Sequence, residues 1–205
     1  MKSNTKFITL EGVDGAGKST CINFIKNYLK NKKFNYLFTR EPGGTKLGEK
    51  LRDILLHDKM TPETETLLMF AARNEHVHEI IKPNLKAGVI VISDRFTDAT
   101  YAYQSGGKNV EIKKITTLKN WVHKDLKPDL TILFDLPTDV SLSRLKKDGN
   151  LDKFEKETAA FHIKIRESYL ALAKKEPKRF RIINSNQSMQ IIEKEICAVL
   201  DKLFL

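Results

Sequence analysis

Eight consecutive residues, Gly12-Val-Asp-Gly-Ala-Gly-Lys-Ser19, follow the pattern G-x-x-x-x-G-K-[ST]. Each part suits a phosphate. Glycines let the backbone curl so that several N–H groups point at one anion. Lys18 is placed to reach the terminal phosphates and the Ser19 hydroxyl to bind a magnesium ion. The helix expected next adds its positive N-terminal end. The apolar run Phe7-Ile-Thr-Leu10 precedes the loop, and Ile22, Ile25 and Leu29 repeat at helical spacing after it. Strand, loop and helix together point to a nucleoside triphosphate site.

The other chemistry-bearing residues also lie where apolar runs end. Thr39-Arg40-Glu41-Pro42-Gly43-Gly44 closes the second such run. Proline followed by two glycines turns the chain tightly, and Arg40 beside that turn suits an anionic group. The third run ends Ser93-Asp94-Arg95. Asp94 is where a phosphate-loop protein holds magnesium, directly or through water, and Arg95 can bind a second phosphate. Asp135 ends the fourth run and fits the same loose pattern, or equally serves as a structural carboxylate. Phe70 and Arg73, three apart on a helix, share a face and could stack on a nucleobase and bond its edge. Thr100, Tyr103 and Gln104 add hydroxyl, phenol and amide groups after another strand end.

Positioning these residues takes alternating strands and helices. Strands are expected at 7–11, 36–39, 89–93, 130–135 and 180–184. Helices are expected at 18–31, 46–57, 63–86, 97–104, 111–124, 138–147, 153–175 and 188–203. This alternation implies an α/β fold, a five-stranded parallel sheet with helices on both faces. Ligands then gather at the carboxyl ends of the strands. The charged stretch Arg144–Glu157, with Gly149 inside it, reads as a short mobile lid over roughly residues 144–158 of a single domain.

The 205 residues carry 28 lysines, eight arginines and a net charge of +10. That balance suits polyphosphate ligands and a solvated lysine surface. The chain lacks a basic stripe interleaved with aromatics, so nucleic acid is not the expected partner. Arginine is scarce, and it grips phosphate by a two-pronged geometry that lysine cannot copy. Arg40, Arg52, Arg73, Arg95 and Arg144 are therefore the positions to inspect. There is no apolar run of membrane-spanning length. Cys21 and Cys197 lie far apart and suit a reducing cytoplasm. His76 and His78, two apart on a helix, cannot share a metal. No N-K-x-D motif and no D-x-x-G switch after the second strand mark a GTPase.

Taken together, Glu11–Thr20, Thr39–Thr45, Leu68–Arg73, Asp94–Phe96, Ala102–Gln104 and Leu151–Glu155 resemble the bacterial thymidylate kinases, in order and over nearly the whole chain. The resemblance implies an ATP- and Mg²⁺-dependent phosphorylation of dTMP to dTDP, in dTTP synthesis, by a cytoplasmic homodimer of the P-loop kinase fold. ATP phosphates would lie along Gly12, Val13, Asp14, Gly15, Ala16, Gly17, Lys18, Ser19 and Thr20. Ser19 and Asp94 would hold the magnesium. Phe70 would stack on thymine, Arg73 would bond its O4, and Thr100 and Gln104 would read its edge. Arg40 and Arg95 would hold the acceptor phosphate, Asp14 would meet the 3′-hydroxyl, and Tyr103 would crowd the 2′ position. Glu41–Pro42 would be a cis peptide.

Some relatives carry an arginine inside the loop, where this chain has Ala16. The lid should then supply the missing charge. Arg144 and Lys153 lead, with Lys146 next, beside Lys18, Arg95 and Asp14 as the groups expected to act in catalysis. A related kinase acting on another nucleotide or on a deoxynucleoside is the nearest alternative. A nucleotide-dependent switch is a more distant one, and it would have no use for a second phosphate site at Arg40 and Arg95.

Overall fold

The computed structural model describes residues 5–149 and 151–204. Five parallel strands form one sheet in the order β2-β3-β1-β4-β5. They are β1 (Phe7–Gly12), β2 (Tyr36–Arg40), β3 (Ile90–Asp94), β4 (Leu130–Asp135) and β5 (Phe180–Asn184). The central β1 is buried along its whole length, as a parallel strand covered on both faces must be. Its register aligns Phe7 with Val91 and Leu10 with Asp94 on β3, and Gly12 with Phe134 on β4. The alternation along β1 sorts the core. Phe7 joins Val77, Ile81, Val91 and Phe96 in one cluster, while Ile8 and Leu10 join Ile25 and Leu29 in another.

Helices flank the sheet. The first, α1 (Lys18–Asn31), starts directly from the phosphate loop. Thr45 caps α2 (Lys46–His57) by accepting from the Gly48 amide at 2.9 Å. Thr61 caps α3 (Pro62–His76), with Pro62 at its first position. The helix expected over 63–86 is present but not uniform. A π-helical turn, Val77–Ile81, joins α3 to α4 (Lys82–Lys86). Similarly α5 (Thr97–Thr100) runs into a π-helical segment, Tyr101–Gly107, three residues beyond the expected end. These wider turns re-aim the side chains that follow, which periodicity alone does not reveal. The rest comprises α6 (Ile112–His123), α7 (Thr138–Asp148), α8 (Ala159–Lys175) and α9 (Met189–Phe204).

The expected helix 153–175 begins at residue 159 instead. Asp152 accepts from the Phe154 and Glu155 amides at 2.8 and 3.0 Å, closing a turn that competes with helix. Thr158 then caps α8. This turn lies in the expected lid. Its Phe154 is buried, with the ring 5.8 Å from that of Tyr103.

Candidate active site

The loop between β1 and α1 wraps tightly. Gly12 has a φ of 144°, and a Cβ there would stand 2.5 Å from the Phe134 carbonyl oxygen on β4. Only glycine fits so close to a neighbouring strand. Val13 and Ala16 are buried in the core, which fixes the loop from beneath. Lys18 is buried and donates to the Gly12 and Val13 carbonyls at 3.0 and 3.1 Å. Burial pushes its pKa down, and the nearby Arg95 charge adds to that. Ser19 and Thr20 are exposed at the start of α1. From α7, Ser141 donates to the Asp14 carbonyl at 2.7 Å and Arg144 to the Gly15 carbonyl at 3.2 Å. Arg144 thus lies against the loop.

Beside the loop opens a cleft lined by Asp14, Arg52, Met69, Arg73, Arg95 and Phe96. Asp14 belongs to both loop and cleft. It accepts from Arg95 and, at 2.6 Å, from the Tyr103 hydroxyl. Burial works to raise the Asp14 pKa, but Arg95 and Lys18 outweigh it and hold the carboxyl below its usual value. Arg95 lies 4.7 Å over the Tyr103 ring. Its backbone has a φ of 68°, uncommon for a residue with a Cβ, and such conformations cluster at functional sites. The conformation is tied down by its amide, which donates to Leu10, and by its carbonyl, which accepts from Ser93. Arg95 also donates to the Tyr169 hydroxyl at 3.2 Å, and Tyr169 donates to Glu11 at 2.8 Å. Burial, with the Asp98 charge behind it, pushes the Glu11 carboxyl up to about 8.

The far end of the cleft is built around Arg73. It is buried, and donates to Glu41 at 2.6 Å and to the Phe96 carbonyl at 3.2 Å. Its Nη1 is buried with no hydrogen-bond partner among the described residues. His76 bonds the other Glu41 oxygen at 2.8 Å. Burial would raise the Glu41 pKa, yet Arg73 and His76 hold it below the usual value. The Glu41–Pro42 peptide is cis. Thr100, Tyr103 and Gln104 all line this cleft.

Three expected positions fall elsewhere. Phe70 does not face the cleft. It packs with Val110 and Ile115 beneath α6, and Met69 lines the cleft in its place. The physical reason is that both i, i+3 and i, i+4 residues neighbour one another on a helix. Here the residue four before Arg73 faces the cleft, and Phe70 serves as a platform 4.8 Å beneath the guanidinium. Arg40 is half exposed and pairs with Glu49 at 2.8 Å, lining a separate groove with Asp94. The arginine that enters the cleft is Arg52 on α2, which donates to the Pro42 carbonyl at 2.9 Å. Nothing but arginine's scarcity pointed to it. Lys153 stands away from the phosphate loop, paired with Glu65 at 2.9 Å and donating to the Asp58 carbonyl at 3.0 Å. Asp135 is structural, because Arg166 grips both its oxygens at 2.7 and 2.9 Å.

The residues present also fit a divalent cation. One oxygen of Asp94 is buried with no hydrogen-bond partner among the described residues, an orphan that a cation or its water would satisfy. Ser19 offers a hydroxyl at the exposed first turn of α1.

Known proteins match this arrangement along nearly its whole length. The family model for thymidylate kinase matches residues 10–196. A thymidylate kinase of Methylobacillus flagellatus is 53% identical over 195 residues, covering 95% of this chain and 96% of its own. One from a Janthinobacterium is 53% identical over 194 residues, covering 95% of each. The crystal structure of thymidylate kinase from Ehrlichia chaffeensis superposes with a TM-score of 0.79 at 33% identity, over 96% of this chain and 98% of that one. Phosphate loop, facing cleft and sequence agree, and the chain belongs to the thymidylate kinase family.

Proposed function

We propose that the cleft binds dTMP and that the Gly12–Thr20 loop holds the ATP phosphates against it, so that the γ-phosphoryl group passes in line to the dTMP phosphate. The observation that carries this reading is Asp14, a loop residue that also lines the cleft and is held there by Arg95 and Tyr103. One rigid constellation thus serves donor and acceptor. Arg95 and Arg52 grip the acceptor phosphate, Asp14 meets the 3′-hydroxyl, and Tyr103 crowds the 2′ position. Met69 and Phe96 pack against the thymine, Arg73 bonds its O4, and Thr100 and Gln104 read its edge. Phosphoryl transfer asks little covalent chemistry of the protein. It asks for alignment, and for positive charge where negative charge gathers. Lys18, Arg95 and Arg144 supply that charge.

Mg²⁺ held by Ser19 and Asp94 supplies further neutralisation of the phosphate oxygens when bound. Phe154 and the lid around it keep water from the acceptor, which protects ATP from wasteful hydrolysis. The reaction is assigned to the cytoplasm. Among the described residues no helix is long and apolar enough to cross a membrane. The assembly is proposed to be a homodimer joined through α3 and α6, where Trp121 is 83% exposed beside the exposed Leu67.

The test is a panel of nucleoside monophosphates with ATP and Mg²⁺, read by coupled ADP release. dTMP is expected to give the highest kcat/KM. Faster turnover of UMP, CMP or AMP would refute the assignment.

A further inference from the structure

Glu65 lies in the first turn of α3, and its side chain is fully buried. Gln104 donates to one of its oxygens over 3.0 Å. Lys108 and Lys153 both bring their ammonium groups to 2.9 Å from the other. Burying a carboxylate is costly, and these partners offset the cost. The arrangement also has a consequence for the amide.

A carboxylate accepts hydrogen bonds and cannot donate them. With one Nε2 hydrogen committed to Glu65, the Gln104 amide is held in one orientation, which leaves its Oε1 as the acceptor on the other side. Arg73 lines the same cleft, and its Nη1 donor has no hydrogen-bond partner among the described residues. The wall therefore presents one acceptor and one donor. Thymine carries an N3–H donor beside the O4 acceptor. Cytosine carries the reverse, a bare N3 beside an amino group. The wall matches the first and opposes the second.

The other oxygen of Glu65 faces the lid. Lys153 belongs to the lid turn. Lys108 and Lys153 lie 4.7 and 5.1 Å from the centre of the Phe154 ring, which lines the cleft. Lid and base-reading amide thus meet at one carboxylate. We infer that Glu65 is a positioning residue for base specificity, locking the Gln104 amide with its oxygen toward the base and tying that lock to the lid through Lys153. The inference rests on the cleft being the dTMP site.

The experiment measures kcat and KM for dTMP, and the competitive inhibition constant of dCMP, on the wild type, E65Q, K153M and the double variant. E65Q is isosteric, but its amide can turn, and Gln104 can turn with it. The ratio of the dCMP constant to the dTMP KM is expected to fall roughly tenfold in E65Q, the scale of one misplaced buried hydrogen bond. Most of that change should lie in KM, with kcat little altered. K153M should lower the ratio about threefold, and the double variant should be no worse than E65Q, since both act on one link. An unchanged ratio in E65Q, with kcat reduced and the protein less stable, would indicate a purely structural role and overturn the inference. Full additivity in the double variant would overturn the tie to the lid. Should E65Q not fold, an unchanged ratio in K153M is itself the overturning result. A wild type that prefers another nucleotide defeats the dTMP reading instead, and that is seen without any variant.

Discussion

Met69 faces the cleft, and Phe70 faces the layer between α3 and α6. Adjacent residues on one helix therefore have different surroundings, one an open cleft and one a packed layer. Met69→Ala removes apolar contact from the base and should raise the KM for dTMP about tenfold, the scale set by losing part of one buried side chain. Its melting temperature should hardly move. Phe70→Leu keeps the core apolar at altered shape and should cost about 1 kcal/mol of stability with little effect on KM. Kinetics and thermal melts on the two variants decide the matter, and the opposite pattern would return the stacking role to Phe70. Residue types alone suggested a base pocket around Phe70 and Arg73. They could not choose between i+3 and i+4 spacing, because both lie on one helical face.

The elements around the cleft are set by groups that never touch it. His123, at the end of α6, is buried against Phe96, with the rings 4.8 Å apart. Its Nδ1–H donates to the Leu126 carbonyl at 3.2 Å, leaving Nε2 to accept from the Thr97 hydroxyl at 2.7 Å. Burial, aided by the Arg73 charge, pushes its pKa down from 6.5 to about 4. The folded state thus prefers the neutral ring, while the unfolded chain takes up a proton below pH 6.5. This contribution to stability is complete above that value and is lost as the pH falls toward 4. Urea midpoints at pH 7 and 4.5 should show the wild type losing roughly 2–3 kcal/mol from this group. His123→Gln should lose less over the same interval, and parallel losses in the two proteins would remove His123 as the cause. The strands were legible because parallel strands buried on both faces read as apolar runs, such as Ile90–Ile92. The π-helical turns at Val77–Ile81 and Tyr101–Gly107 were not, because they leave apolar spacing nearly intact.

At the scale of the whole molecule, the outer face of α3 and α6 carries exposed apolar surface. Trp121 is 83% exposed, and a groove between it and Leu67 reaches down to Phe70. A large exposed aromatic beside a groove marks an interaction surface. The same Phe70 supports Arg73 from below, so the proposed dimer face and the proposed base site share one helix. Trp121→Glu should convert a sedimenting dimer to monomer by desolvating a charge in the interface. A wild type that sediments as a monomer across the micromolar range would dismiss the dimer.

The sequence by itself determined the phosphate loop, the alternating strands and helices, and the placement of chemistry at strand ends. Those are local facts, carried by glycine geometry, apolar periodicity and the order of motifs. It also pointed to Arg144, since a charge absent at Ala16 needed a source, and the structure puts that guanidinium against the Gly15 carbonyl. Only the tertiary structure decided which side chains share the cleft. Arg52 enters it and Arg40 does not, because Glu49 draws Arg40 to the outer groove. Lys153 meets Glu65, 88 positions earlier in the chain, rather than the phosphate loop. Such pairings depend on the path of the backbone between distant elements, and no local pattern of residues encodes them.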